Sequence, residues 1–233
     1  MTAKSVGVTL ILILISLIFS VIYIAYNGNY TPTFVKTTTP RQVVIDAGHG
    51  GEDGGAVVGN ICEKDINLKI ARILKELLDI SGFETIMTRD EDVSIHDEGS
   101  KSLRRKKRSD IVNRLEIANK NPNSIFVSIH QNKFPQTKYW GAQVFYGLKD
   151  ENSKNLAENI QNNIVYMTQP ENKRNIKPIC GDVYLIKNAT VPAVLCECGF
   201  MSNAKEMALL LDPEYQKKMA FAIYIGILQF YNC

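Results

Sequence analysis

Three short segments of this 233-residue chain are almost continuously apolar, and they constrain the fold more than any other feature. The segments are Gln42–Asp46, Ser124–Ile129 and Ala193–Cys196. Each has the length of one strand and lacks a polar face, which is typical of strands buried on both sides of a sheet. Such strands need helices on both faces of the sheet, because neither face can be left in water.

Helical patterns lie between and after these strands. Apolar residues recur at intervals of three and four in four segments: 65–81, 109–119, 152–166 and 213–231. Further strands are predicted at 83–88, 143–146 and 183–186. Strands that alternate with helices predict an α/β fold, a three-layer sandwich with a mostly parallel, twisted sheet and helices on both faces. We expect one catalytic domain over residues 41–233.

The N-terminus has a different composition. No charged residue occurs from Ser5 through Val35, and Val6 to Tyr26 is mostly apolar. A helix of that length spans about 30 Å of hydrocarbon. We therefore predict a signal-anchor or a signal peptide over residues 1–30, followed by a linker over 31–40. The run is longer than a typical signal h-region and ends without a clear A-x-A-like site, which favours the uncleaved anchor.

The charge distribution suggests where the rest of the chain acts. Lys4 precedes the apolar run and the next basic residue is Lys36, so the positive-inside rule predicts an exported, membrane-anchored domain. Lys and Arg number 27 against 24 Asp and Glu, for a formal charge of +3. That balance is far from the strongly basic charge of a dedicated nucleic-acid-binding domain, and we expect no nucleic-acid partner.

Reactive side chains lie at the ends of the apolar strands. His49 follows the first strand, His130 and Glu197 end the other two, and Glu63 lies just before the first predicted helix. Because the carboxyl ends of parallel strands meet at one edge of a sheet, we expect these four side chains to converge. Two imidazoles and one carboxylate, with a fourth position open for water, are typical of catalytic zinc. A carboxylate off the metal can then transfer the proton.

Structural alternatives remain open at this point. Glu197 could be a buried carboxylate that backbone N–H groups satisfy, and His49 could simply stabilise its loop. The candidate ligands are far apart in sequence, so their spacing alone does not decide between these interpretations.

Four motifs in unbroken order add a family resemblance. Residues 44–51 read VIDAGHGG, 62–65 read CEKD, 126–132 read FVSIHQN and 195–203 read LCECGFMSN. Together they resemble the zinc-dependent N-acetylmuramoyl-L-alanine amidases of the type-3 amidase family, from about Arg41 to the C-terminus. The resemblance implies that His49, Glu63 and His130 bind one Zn²⁺ per chain and that Glu197 is the catalytic glutamate.

The family cleaves the amide bond between N-acetylmuramic acid and the L-alanine of the peptidoglycan stem peptide. The resemblance implies that zinc-activated water attacks this bond while Glu197 transfers the proton. Within the family, the resemblance is closest to sporulation amidases. This implies that the cleavage occurs in the spore cortex, as the first step toward the muramic-δ-lactam needed for germination. A non-catalytic peptidoglycan-binding protein of this fold, or a zinc-dependent wall peptidase, is the alternative.

Three further features have weaker interpretations. Asn132 follows His130 by two residues and could orient substrate or form a turn. Residues 101–108 hold six positive charges, typical of a solvated helix face but also suited to anionic wall polymer or a partner protein. His96 lies in an acidic loop, where we expect it to be exposed.

The remaining expectations concern the cysteines and regulation. The five cysteines show no paired CxxC spacing, and we interpret them as mostly buried small apolar residues: Cys62, Cys180, Cys196, Cys198 and Cys233. Between Gly147 and Pro178 there is room for one helix and a connection, so no large blocking segment is expected. Control by an activating partner protein is the corresponding hypothesis.

Overall fold

The computed structural model describes residues 13–20, 23, 41–99, 102–181 and 183–232. The chain divides into two compact units, Met1–Thr38 and Thr39–Cys233. Residues 13–20 of the first unit are helical. No helix among the described residues has both the length and the apolarity that crossing a bilayer requires. Most of the predicted anchor at Val6–Tyr26, and the whole predicted linker at 31–40, lie outside the described residues.

A mixed sheet forms the centre of the second unit. Its strands and those of a small hairpin are, in chain order, β1 (Gln42–Ala47), β2 (Val57–Val58), β3 (Ile61–Cys62), β4 (Glu84–Met87), β5 (Ser124–Asn132), β6 (Gln143–Tyr146), β7 (Lys177–Pro178) and β8 (Ala193–Phe200). Within the described residues, six strands form one sheet in the order β4-β1-β5-β8-β6-β7, and β2 pairs with β3. The β4-β1-β5-β8 portion is parallel, as is the β6–β7 pair, whereas β6 runs antiparallel to β8.

Helices flank this sheet. They are α1 (Glu63–Ile80), α2 (Leu103–Asn119), α3 (Asn152–Thr168), α4 (Tyr184–Asn188), α5 (Ala204–Leu211) and α6 (Pro213–Phe230). Val43 and Ile45 of β1 belong to a core cluster with apolar residues of α1, α3 and α6. Val44 between them belongs to a second cluster with residues of α2 and α4. Alternate side chains of one strand thus enter two cores, which confirms a mostly parallel sheet flanked by helices.

Helix α1 forms where the sequence shows a strong helical periodicity of apolar residues. Ile66, Ile70, Leu74 and Leu78 repeat at four-residue intervals and are buried in the core between α1 and the sheet. Burying each such side chain contributes about 1.5–3 kcal/mol. The helix begins at Glu63, two residues before the predicted start, since its first turn carries acidic residues that favour a helix N-terminus. Glu63 is therefore fixed on a rigid element rather than in a loop.

Segment 183–186 was predicted as a strand, and that prediction is wrong because Tyr184–Asn188 is the short helix α4. Four consecutive apolar residues cannot distinguish a strand from one buried helical turn. Leu185 and Ile186 pack into the second core cluster, whereas Tyr184 is exposed. The sequence patterns also did not predict α5, a separate helix that precedes Pro213.

The cysteine prediction is correct only in part. Cys196 and Cys198 are buried in the core, on the face of β8 opposite Glu197. Cys62 is half-buried and Cys180 is exposed. Cys233 lies outside the described residues.

Candidate active site

His49, Glu63 and His130 meet at one edge of the sheet. His49 lies in the loop after β1, Glu63 begins α1, and His130 lies on β5. Each offers one ligand atom, and these atoms lie within 4.8 Å of one another. We call these three residues the donor group. Their chemistry, two imidazoles and a carboxylate, is one that could hold a metal ion.

The Glu63 carboxylate lies between the two imidazoles of the donor group. Its Oε1 atom is 2.9 Å from His130 Nδ1, and its Oε2 atom is 3.3 Å from His49 Nε2. The two imidazole rings stand edge to face, with their centroids 4.9 Å apart. The three side chains therefore point toward a common centre.

Hydrogen bonds hold Glu63 in this orientation. Oε1 accepts from the Gln131 N–H at 3.0 Å and from Asn67 Nδ2 at 3.2 Å, and Oε2 accepts from the Ala56 N–H at 2.8 Å. Burial raises the pKa of Glu63, but hydrogen bonds to His130 and His49 outweigh it and hold the pKa well below its ordinary value. Glu63 is therefore ionised and can offer a negatively charged oxygen to a metal ion.

His49 has an unusual backbone conformation. Its φ of 62° lies in the left-handed region, which costs a non-glycine residue roughly 1–2 kcal/mol. Arg114 Nη2 donates to the His49 carbonyl at 2.7 Å, and Asp53 Oδ2 lies 2.9 Å from His49 Nδ1. Burial lowers the pKa of His49, but hydrogen bonds to Asp53 and Glu63 outweigh it and raise the pKa to about 9. With Nδ1 occupied by Asp53, Nε2 faces Glu63.

Glycines leave the space that the donor group needs. A Cβ atom on Gly48 would lie 2.2 Å from Nε2 of His130. A Cβ atom on Gly55 would lie 2.6 Å from both Glu63 Oε2 and His49 Cδ2, and its φ is also positive. Neither position could carry a side chain without displacing a member of the donor group, which explains why these two residues are glycine.

Glu197 lies beside the donor group on the neighbouring strand. It is in register with His130 across the parallel β5–β8 pair and with Gln143 across the antiparallel β6–β8 pair. Its Oε2 atom is buried and has no hydrogen-bond partner in the described part of the chain. Burial raises the pKa of Glu197 to about 7. A carboxylate with an unpartnered oxygen and a near-neutral pKa is suited to accept and return a proton.

A second charged cluster, which sequence reasoning missed, supports the same edge. Arg114 Nη1 donates to Asp46 Oδ1 at 2.6 Å, and Arg114 Nε donates to Asp110 Oδ2 at 2.6 Å. Thr88 and Ser128 donate their hydroxyls to Asp46. We call these five residues the Arg114 network. Burial raises the pKa of Asp46, but Arg114 and these hydroxyls outweigh it and lower the pKa to about 2.

Two sequence signals could have revealed the Arg114 network. Asp46 is an acidic residue at the end of an otherwise apolar strand, and Asp110 and Arg114 are four residues apart on a predicted helix. Neither signal names the partner on the other element, because the Asp46–Arg114 contact joins residues 68 positions apart.

The cavity beside the donor group is small. It has a volume of 140 Å³ and is lined by His49, His130 and members of the Arg114 network, with Tyr184 and Leu185 of α4 on its wall. Two larger cavities of 930 Å³ and 840 Å³ lie elsewhere, and none of the donor group or Glu197 lines them. Glu63 and Glu197 do not line the small cavity, but His49 and His130 do. Because reactive side chains decide where chemistry occurs, the small cavity is the better candidate.

The other predicted residues lie outside this centre. Asn132 ends β5, is half-buried, and accepts a hydrogen bond from the Met201 N–H through its backbone carbonyl. His96 is half-buried rather than exposed, with Nδ1 2.9 Å from Ser94 Oγ, and it does not join the donor group. From Leu103 onward the basic run forms the start of α2, and Ser102 is the N-cap of this helix.

Comparisons with known proteins identify the family of this chain. The profile of the N-acetylmuramoyl-L-alanine amidase family matches residues 43–229. The germination-specific N-acetylmuramoyl-L-alanine amidase of Bacillus subtilis is 38% identical over 192 residues, which cover 82% of this chain and 80% of the relative.

Solved structures show the same similarity. The CwlD amidase from Clostridioides difficile, determined in complex with the GerS lipoprotein, superimposes with a TM-score of 0.79 at 44% identity. The match covers 82% of this chain and 98% of that structure. The amidase AmiC2 of Nostoc punctiforme gives a TM-score of 0.70 at 31% identity, over 83% of this chain and 98% of that structure.

Proposed function

Because the chain belongs to the family of N-acetylmuramoyl-L-alanine amidases, we propose that it is a zinc-dependent hydrolase of peptidoglycan whose site consists of the donor group and Glu197. The observation that carries this proposal is the convergence of three ligand atoms within 4.8 Å, beside a buried carboxylate oxygen that lacks a partner.

The residues present fit a zinc ion. Imidazole nitrogen and carboxylate oxygen are ligands that Zn²⁺ prefers, and three protein ligands leave a position open in a catalytic site. When bound, zinc would polarise the amide carbonyl and increase the acidity of water at the site. Asp53 supports the fit, because a carboxylate on one imidazole nitrogen fixes the ring and leaves the other nitrogen for the metal.

Glu197 is proposed as the proton carrier. It accepts a proton from the attacking water as the new carbon–oxygen bond forms, and returns it to the nitrogen of L-alanine as the carbon–nitrogen bond breaks. The products are the carboxylate of N-acetylmuramic acid and a stem peptide with a free amino terminus. The position of Glu197 opposite His130 supports this role.

Asn132 is proposed to orient the substrate. It lies two residues beyond His130 at the same edge of the sheet, where a half-buried amide can accept and donate hydrogen bonds.

The biological setting is proposed from the relatives. A Bacillus subtilis relative is germination-specific, and a structural relative was determined with a lipoprotein. We therefore place the activity outside the cytoplasmic membrane, in the spore cortex, as the first step toward the muramic-δ-lactam that germination requires. Similarity to a lipoprotein-bound amidase also supports a regulatory protein partner for this chain.

Product analysis tests the reaction. Zinc-loaded protein is incubated with purified peptidoglycan, and the soluble products are identified by mass spectrometry. We expect stem peptides that begin with L-alanine. Peptides cut between two amino acids would instead indicate a peptidase, and intact muropeptides despite bound zinc would indicate a binding protein.

A further inference from the structure

The loop that carries His49 is attached to α2 by two lysines of the basic run. Lys106 Nζ lies 2.7 Å from Glu52 Oε1, and Lys107 Nζ lies 2.7 Å from Asp53 Oδ1. Adjacent lysines at the start of α2 thus contact adjacent carboxylates of the loop. This part of the helix face therefore contacts the loop as well as solvent.

The two carboxylates differ in what they contact next. Asp53 uses its second oxygen, Oδ2, to contact His49 Nδ1 at 2.9 Å, and its Oδ1 also accepts from the Gly55 N–H at 3.3 Å. Glu52 is not among the hydrogen-bond partners of His49, Glu63 or His130 in the described chain. Lys107 is therefore connected to His49 of the donor group through Asp53, whereas Lys106 has no such connection through Glu52.

His49 needs external support because its backbone is strained. Its left-handed φ of 62° persists only while surrounding contacts hold it. Arg114 of α2 holds the His49 carbonyl, and Lys107, two turns earlier on the same helix, holds the carboxylate that fixes the His49 ring. One face of α2 thus restrains both the backbone and the side chain of this residue.

We propose that Lys107 is a positioning residue for metal binding, which acts by fixing Asp53 so that Asp53 orients the His49 imidazole. This inference rests on the proposed zinc site. The direct electrostatic effect of Lys107 would be the opposite of this positioning effect. Removing a cation near the zinc ion would by itself strengthen zinc binding. Positioning predicts weaker binding when Lys107 is lost.

The test is zinc affinity, measured on the 233-residue chain by competition with a chromogenic chelator. Asp53→Asn should weaken zinc binding by about 10- to 100-fold, the usual effect of losing a group that orients a ligand. Lys107→Met should weaken it by roughly 10-fold, at the lower end of that range. Lys107→Arg should keep most of the wild-type zinc affinity, because it retains a cation next to Asp53. Lys107→Met should cause no further loss in the Asp53→Asn background.

Lys106→Met is the matched control, because it removes the adjacent lysine and an ion pair of the same length without touching Asp53. We expect its zinc affinity to stay close to that of the wild type. Circular dichroism of the zinc-free variants verifies that each is folded, since a half-exposed ion pair contributes about 1 kcal/mol or less.

The outcomes separate this inference from the proposed function. A wild-type chain that does not bind zinc would overturn both. A wild-type chain that binds zinc, with Lys107→Met equal to Lys106→Met or tighter than wild type, would overturn only the role of Lys107. Equal losses from Lys107→Met with and without Asp53 would also overturn it, because the effect would not pass through Asp53.

Discussion

Two charged clusters lie side by side at the same edge of the sheet, and they differ in whether a carboxylate oxygen without a partner lies beside them. In the Arg114 network, Asp46 and Asp110 both accept from Arg114, and Asp46 also accepts from two hydroxyls. In the donor group, one carboxylate lies between two imidazoles, next to a Glu197 oxygen that lacks a partner in the described chain. Buried charge alone therefore does not distinguish a catalytic site from a structural one. The feature that separates the two clusters is the unpartnered buried oxygen of Glu197, which lies beside the donor group.

The largest effect on stability is expected from breaking the Arg114 network. Arg114→Met leaves Asp46 and Asp110 without their cation, and such a loss costs about 3–5 kcal/mol. The free energy of unfolding, measured by urea titration of zinc-free protein, should fall by that amount. Glu197→Gln is the contrasting variant: burial raises the pKa of Glu197 and its Oε2 atom has no partner in the described chain, so losing this carboxylate should change the unfolding free energy far less. Equal destabilisation by both would remove the distinction between the clusters.

The pH dependence of stability sharpens the same comparison. The pKa of Asp46 is lowered from 3.8 to about 2 in the folded protein, so its ionised form stabilises the fold above pH 3.8. This contribution, about 2 kcal/mol, should be lost as the pH falls from 3.8 toward 2. Asp46→Asn cannot titrate at this position. The difference in unfolding free energy between wild type and variant should therefore narrow as the pH falls from about 4 toward 2, whereas a constant difference would contradict this assignment.

A smaller effect is expected from the support of the donor group. Asn67 Nδ2 donates to Glu63 Oε1 and to the Gly48 carbonyl, which ties α1 to the loop after β1. Asn67→Ala should weaken zinc affinity by about 10-fold, or about 1.4 kcal/mol. Asn172→Ala is the matched control, a buried asparagine that donates to Ala142 and Gln169 away from the donor group. Similar losses of zinc affinity in both variants would show that Asn67 acts only through stability.

Sequence patterns predicted the parts of this molecule that depend on local order. Three apolar strands and the strong periodicity of α1 were sufficient for the mostly parallel sheet and its flanking helices. The short helix α4 was missed, because four apolar residues carry no period. The positions of β1 and β5 also indicated that His49 and His130 would lie at one edge, since parallel neighbours end together.

The contacts that orient the site residues could not be predicted in this way. Arg114 with Asp46, and Lys107 with Asp53, join α2 to residues more than fifty positions earlier in the chain. Their pairing depends on how α2 packs against the sheet, which no local pattern encodes. The left-handed backbone of His49 is equally a product of these contacts. Family motifs indicate the residues proposed to react, whereas the supporting residues become evident only in three dimensions.

The central claim is that the donor group holds zinc while Glu197, which is not part of it, moves the proton. Glu197→Gln tests this most directly, with zinc content and release of stem peptides from peptidoglycan measured on the same sample. We expect one zinc per chain, as in the wild type, with turnover reduced by about 10²- to 10⁴-fold. Wild-type turnover in the Glu197→Gln variant, or loss of its zinc, would contradict the assignment.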